Sequence, residues 1–202
     1  MLDSYIRPMI DPPLNAAAVR LARTGVTANT LTAIGLGFSL CAFAALAFQA
    51  YGLAILFVVI SRLMDGLDGP LARQSQATDL GGYFDIVSDF IFYSGVVFFF
   101  AVGRPEGALS AAFLVFSFMG TASSFLAYAI IAAKRGINHE KQGRKSFFYL
   151  KGITEGTETI SLLIFICVFP DMFAWAAYIF GGLCWLTTLG RTVQAVKDFK
   201  PV

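Results

Sequence analysis

Six apolar runs, at about residues 30–50, 53–72, 82–102, 111–133, 153–169 and 172–193, decide most of what this chain can fold into. Each is near the ~20 residues a helix needs to cross the ~30 Å hydrocarbon core of a bilayer. Composition agrees: 57% of the 202 residues are hydrophobic and 14% are charged, where a soluble domain has about 45–50% and about 25%. The mean hydropathy is +0.70. The expected fold is an all-α integral membrane protein with six transmembrane helices in one domain, 27–202. Gly103-Arg104-Pro105 and Pro170-Asp171 interrupt the apolar pattern as turns do.

Residues 1–26 read differently. Leu14, Ala17, Ala18, Leu21 and Ala22 recur at helical spacing, with Arg20 and Arg23 on the other side. This predicts an N-terminal interfacial amphipathic helix lying on the membrane surface. A secretory signal is not expected, because Asp3, Arg7, Asp11 and Pro12-Pro13 leave no apolar core there. Basic residues set the orientation. On the six-span layout, fourteen of the fifteen Lys and Arg residues fall on one side and only Arg104 on the other. Both termini, and the turn between spans two and three, are therefore expected in the cytoplasm.

That turn carries the chemistry. Asp65, Asp68, Asp85 and Asp89 sit inside or beside two apolar spans. A carboxylate at the centre of a membrane helix costs roughly 2.5–3.5 kcal/mol even on the lenient insertion scale. Four of them within 25 positions call for a compensating cation. Oxygen-only ligands suit a hard divalent ion, Mg2+ or Mn2+. Asp65 and Asp68 are three apart, and Asp85 and Asp89 four apart, so each pair shares a helix face. The short connection 74–80 makes the two helices antiparallel neighbours whose acidic faces can meet. The expected result is a carboxylate cage for one or two ions, two being the arrangement that clamps a phosphorus under in-line attack.

Gly66 and Gly69 fit two readings: close approach of a ligand or backbone, or helix packing through small residues. Arg73 fits a phosphate contact or an interfacial anchor. Cys41, Cys167 and Cys184 have no paired spacing and are expected to be buried apolar side chains. The single histidine, His139, cannot build a nitrogen-rich zinc site. Phe98-Phe99-Phe100, Phe147-Phe148-Tyr149, Trp175 and Trp185 are expected to face lipid or the interface.

The string D-x-x-D-G-x-x-A-R, seven residues, then G-x-x-x-D-x-x-x-D resembles the signature of the CDP-alcohol phosphotransferases. Asp65, Asp68, Gly69, Ala72, Arg73, Gly81, Asp85 and Asp89 fill all eight of its fixed positions. Thr27-Ala28-Asn29 resembles the family's Thr-Pro-Asn opening of the first span, with alanine in place of proline. The six-span layout matches too, whereas the C-terminal half matches less specifically. The resemblance implies transfer of a phosphatidyl group from CDP-diacylglycerol to an alcohol, with release of CMP, in phospholipid biosynthesis. Some family members instead move a phospho-alcohol from a CDP-alcohol to a lipid. It also implies Asp65, Asp68, Asp85 and Asp89 as metal ligands, with two ions expected. Asp89 is the implied catalytic base, and Asn29, Asp65, Gly69, Ala72, Arg73 and Gly81 the implied CDP contacts. The implied setting is a bacterial inner membrane. The partners are CDP-diacylglycerol, an alcohol and membrane lipid, with a homodimer expected and no nucleic acid.

The acceptor alcohol is less constrained. Lys134, Arg135, Lys141, Arg144, Lys145 and Lys151 fit either a phosphorylated acceptor or a topology signal attracted to anionic lipid. Arg135, Lys145, Lys151 and Glu158 are the candidate acceptor residues. Glycerol 3-phosphate is favoured, with inositol phosphate, serine, choline and a second phospholipid left open. Gly120 and Gly181-Gly182 are candidate dimer contacts. A cation channel or carrier is the competing reading from another class. Against it, the carboxylates cluster at one end with no polar continuation towards Arg104.

Overall fold

The computed structural model describes residues 3–74, 77–136 and 152–199. These form seven α-helices and no strand: α1 (Asp3–Ala22), α2 (Ala28–Ala47), α3 (Tyr51–Gln74), α4 (Asp79–Gly103), α5 (Ala108–Lys134), α6 (Gly156–Val168) and α7 (Phe173–Asp198). Short 3-10 turns at Pro105–Gly107 and Pro170–Met172 lead into α5 and α7. The six apolar runs match α2 to α7, with ends shifted by a few residues.

Helix starts follow local chemistry. Thr27 caps α2 by accepting from the Thr30 backbone N–H, and Thr78 caps α4 by accepting from that of Gly81. Glu155 and Glu158 form a reciprocal capping box on α6. Prolines at 105 and 170 sit where a missing N–H costs no helical bond.

The helices alternate in direction. At one end, Thr32 near the start of α2 bonds Asp68 near the end of α3, and Tyr128 late in α5 bonds Asp198 at the end of α7. At the other end, the Gln49 side-chain amide donates to the Gly103 carbonyl at 2.7 Å. There Arg104 also pairs with Glu106 and Asp171, both at 2.8 Å. Among the described residues, Arg104 is thus at the end opposite Arg73, Lys134, Arg135 and Lys197, as the charge pattern requires.

Four segments are long and apolar enough to cross a membrane: α2, α4, and α5 and α7 each with its leading 3-10 turn. Their outer faces carry Leu40, Phe98, Phe116, Trp175 and Ile179 exposed, which is the pattern of helices bathed in lipid. The 13-residue α6 spans about 20 Å at 1.5 Å per residue, short of the hydrocarbon thickness. At 24 residues α3 is long enough, but Arg62, Asp65, Asp68 and Arg73 make it more polar than its neighbours.

Several expectations are corrected by the packing. The helix expected at the N-terminus exists as α1, but Met9, Ile10 and Val19 are exposed among its polar residues, so its faces are only partly segregated. It packs on α3, where Leu14, Ala17, Ala18 and Leu21 meet Leu67 and Leu71. Phe100 is not at the lipid surface: it is buried and stacks on Phe173 at 4.3 Å. Cys167 and Cys184 are buried as expected, whereas Cys41 is exposed. Gly120 and Gly181 are used within the chain. A Cβ at 181 would lie 2.6 Å from the Phe113 ring, and one at 120 would lie 3.2 Å from Trp185 and Thr188, so both serve the packing of α5 on α7.

Gly103, the last residue of α4, packs against the C-terminal end of α2. A Cβ there would run into the Leu46 carbonyl and sit 3.2 Å from that of Ala47. Backbone cannot step aside as a side-chain end can, so Gly103→Ala is expected to destabilise the protein by about 1–3 kcal/mol. A thermal-unfolding midpoint in detergent several degrees below wild type checks this.

Candidate active site

The site forms where α2, α3 and α4 meet. Gly35 lets α2 approach α3 closely: a Cβ there would lie 3.3 Å from that of Met64. Just beyond, the Ser39 and Ser61 hydroxyls bond at 2.8 Å across the two helices. Thr32 hydroxyl donates to Asp68 Oδ2 at 2.6 Å, fixing that buried carboxylate. Pro70 lacks the N–H that would bond the Gly66 carbonyl, which loosens α3 beside its acidic turn.

Asp65, Asp68 and Asp85 converge, each offering a carboxylate oxygen within 4.8 Å of the others. Three hard oxygen donors at this spacing, from two helices and partly buried, fit a divalent ion of the Mg2+ or Mn2+ kind. Next to them is a cavity of about 110 Å3, lined by Asn29, Thr32, Asp68, Gly69, Ala72, Thr78, Gly81 and Asp85 among others. Asn29, Gly69, Ala72 and Gly81, which the signature implies as nucleotide contacts, therefore lie together beside the acidic cluster. Gly81 is tight: a Cβ there would lie 2.8 Å from Asn29 Oδ1 and 3.2 Å from Thr78 Oγ1. Arg73 does not line this cavity. Its guanidinium reaches Asn15 of α1 at 3.5 Å and passes 3.7 Å from where a Gly69 Cβ would stand.

Asp89 is placed differently from its three companions. Arg62 Nη1 donates to Asp89 Oδ1 at 2.6 Å and lies 3.4 Å from Asp65 Oδ2. The guanidinium stacks over Phe92 at 3.7 Å. Arg62 is not among the candidate site residues that the sequence singles out. Its position three residues before Asp65, on the same helix face, was the signal that it is the built-in counter-charge.

The candidate acceptor residues are not gathered by the described structure. Glu158 accepts from the Glu155 backbone N–H at 3.2 Å, so it closes the α6 cap. Arg135 lies over the Phe199 ring at 5.4 Å. Lys145 and Lys151, with Lys141, Arg144, His139 and Phe147-Phe148-Tyr149, lie outside the described residues. Arg191, which is not among the candidate acceptor residues, reaches from α7 to α5 and donates to the Thr121 carbonyl at 2.9 Å.

The chain is similar to known proteins along nearly its whole length. The chain is 47% identical over 201 residues to "Inner membrane protein YnjF" of Escherichia coli (strain K12), covering 99% of this chain and 98% of that one. It is 29% identical over 196 residues to the archaetidylinositol phosphate synthase of Pyrococcus horikoshii, covering 96% of each. Residues 25–190, which include every helix of the acidic site, match the CDP-alcohol phosphatidyltransferase family, and the chain belongs to that family.

Proposed function

We propose that this protein transfers a phosphatidyl group from CDP-diacylglycerol to an alcohol and releases CMP. The observation that carries this reading is the convergence of Asp65, Asp68 and Asp85 beside the cavity of Asn29, Gly69, Ala72 and Gly81. Asp65, Asp68 and Asp85 would hold a divalent ion, which when bound offsets charge on the donor's pyrophosphate and makes CMP a better leaving group. Asn29, Gly69, Ala72 and Gly81 would take the CDP moiety, the glycines allowing its backbone-close approach. The acceptor oxygen bonds to the phosphorus that carries diacylglycerol, and the bond from that phosphorus to the bridging oxygen of CMP breaks. Asp89 takes the acceptor's proton as general base. Arg73 fits a phosphate contact at the mouth of the site.

Membrane placement follows the same reading. With α3 and α6 added to the four apolar segments, the chain crosses six times. The basic residues beside the aspartate end put that end and both termini in the cytoplasm. The Escherichia coli relative supports an inner-membrane location. The Pyrococcus relative, with phosphate in its product's name, supports a phosphorylated acceptor, which suits Arg135 and the basic segment 134–152. A homodimer is part of the proposal. Transfer from a CDP-alcohol to a lipid is the second reading within the same family.

The test is CMP release by the purified protein in detergent, with CDP-diacylglycerol, Mg2+ and one acceptor at a time. Dependence on glycerol 3-phosphate or inositol phosphate supports the reading. Release only from a CDP-alcohol with a lipid acceptor would replace it. Gly81→Ala probes the cavity within the same assay. The new methyl crowds Asn29, so KM for CDP-diacylglycerol is expected to rise about tenfold, a loss of about 1.4 kcal/mol, with kcat changed less. An unchanged KM would place the nucleotide elsewhere.

A further inference from the structure

We propose that Arg62 is a positioning residue: from the membrane side of the acidic site it holds the Asp89 carboxylate in the orientation from which that group takes the acceptor's proton. The inference rests on the transferase reading above, with Asp89 as the base, and is independent of how many ions the aspartates bind.

Asp65 and Asp89 are the innermost carboxylates of the site on α3 and α4, and their side chains touch. Like charges in contact repel, so the pair needs a cation beside it. Arg62 supplies one. It lies one turn before Asp65 on α3 and therefore flanks the pair on the side facing the bilayer interior. Its Nη1 donates to Asp89 Oδ1 at 2.6 Å and lies 3.4 Å from Asp65 Oδ2. A charge-assisted bond this short fixes the direction of the carboxylate as well as its place.

The guanidinium is itself held. Its side chain is only 10% exposed. It lies 3.7 Å over the buried Phe92 ring and 5.6 Å from that of Tyr93, both about one turn beyond Asp89 on α4. A second nitrogen reaches Ser61 Oγ at 3.3 Å, and Ser61 in turn bonds Ser39 of α2 at 2.8 Å. The grip on Asp89 thus runs back to all three helices of the site. A planar fork stacked on a ring keeps its direction better than an ammonium on a flexible stem. The Asp89 side chain, by contrast, is 34% exposed, so an alcohol can approach it while Arg62 holds it from behind. A counter-charge that served only the fold would not change the turnover of folded protein, and that difference is measurable.

The experiment is a double-mutant cycle on the purified full chain, reading kcat and donor KM for CMP release with the acceptor that supports the wild type. Arg62→Gln is expected to lower kcat by about 100-fold and Arg62→Lys by about tenfold, the span for a lost orienting partner. Lysine does less harm because it keeps the charge and loses only the stacked fork. Donor KM should stay within about threefold in both, since the nucleotide contacts are untouched. In the Asp89→Asn background, either change should lower kcat by less than about twofold, because a residue acting through Asp89 has nothing left to orient. Wild-type kcat per folded protein in both variants would make Arg62 purely structural and overturn the inference. So would the same fold losses with and without Asp89, or a rise in donor KM that accounts for the defect. Each of these leaves the proposed function standing. Absence of CMP release by the wild type with every donor and acceptor would overturn both. If Arg62→Gln fails to fold, Arg62→Lys alone completes the cycle with Asp89→Asn.

Discussion

Asp68→Ala is expected to lower kcat/KM for CMP release by about 1,000-fold or more, equivalent to about 4 kcal/mol of transition-state stabilisation. Asp68 is the buried member of the carboxylate trio and also faces the nucleotide cavity. Its loss therefore removes an ion ligand at the point where donor and ion must meet. The fold should survive, because the Thr32 hydroxyl that bonds Asp68 also lies 3.1 Å from the Ala28 carbonyl and keeps a partner. Removing a partly desolvated charge from a membrane helix relieves a cost. The thermal midpoint of metal-free protein should accordingly hold or rise while activity disappears. Activity within tenfold of wild type would show that the trio is not the metal centre.

Asp89→Asn should lower kcat by about 100- to 10,000-fold, the range for a missing general base, while leaving donor KM within a few-fold. The amide oxygen still accepts from Arg62, so the α3–α4 contact at 2.6 Å in wild type has a neutral substitute. What is lost is the group that receives the acceptor's proton. Steady-state kinetics with saturating CDP-diacylglycerol and varied acceptor reads this directly. A variant that keeps full kcat would transfer the base role elsewhere; one whose main defect is lost Mn2+ binding would return Asp89 to the ion.

The sequence made the acidic site legible because both of its signals are local. Asp65 and Asp68 share a turn of one helix, and the short connection after Gln74 forces α4 back beside α3. Apolar length did the same for the spanning helices. Arg62 was harder. Its role depends on Asp89, 27 positions away, and on the Phe92 ring beneath it, neither of which spacing along α3 reveals. Phe100 was misplaced for a similar reason: three consecutive phenylalanines on a helix point in three directions, and only the arrival of Phe173 from the far side of the bundle decides which is buried. Gly120 and Gly181 looked free to meet another copy because the rings they accommodate, Trp185 and Phe113, come from the partner helix within the chain. Glu158 combined two signals that the sequence could not separate, a carboxylate one turn into a helix and the closing member of a capping box.

The most direct test of the central claim follows the phosphorus atoms. CDP-diacylglycerol labelled on the phosphate next to diacylglycerol is incubated with purified protein, Mg2+ and a phosphorylated acceptor such as glycerol 3-phosphate or inositol phosphate. Phosphatidyl transfer predicts that the label moves entirely into a new phospholipid, that unlabelled CMP appears in equal amount, and that both stop when Mg2+ is chelated. Label leaving with the nucleotide, or lipid product forming at the same rate without a divalent ion, would contradict the account.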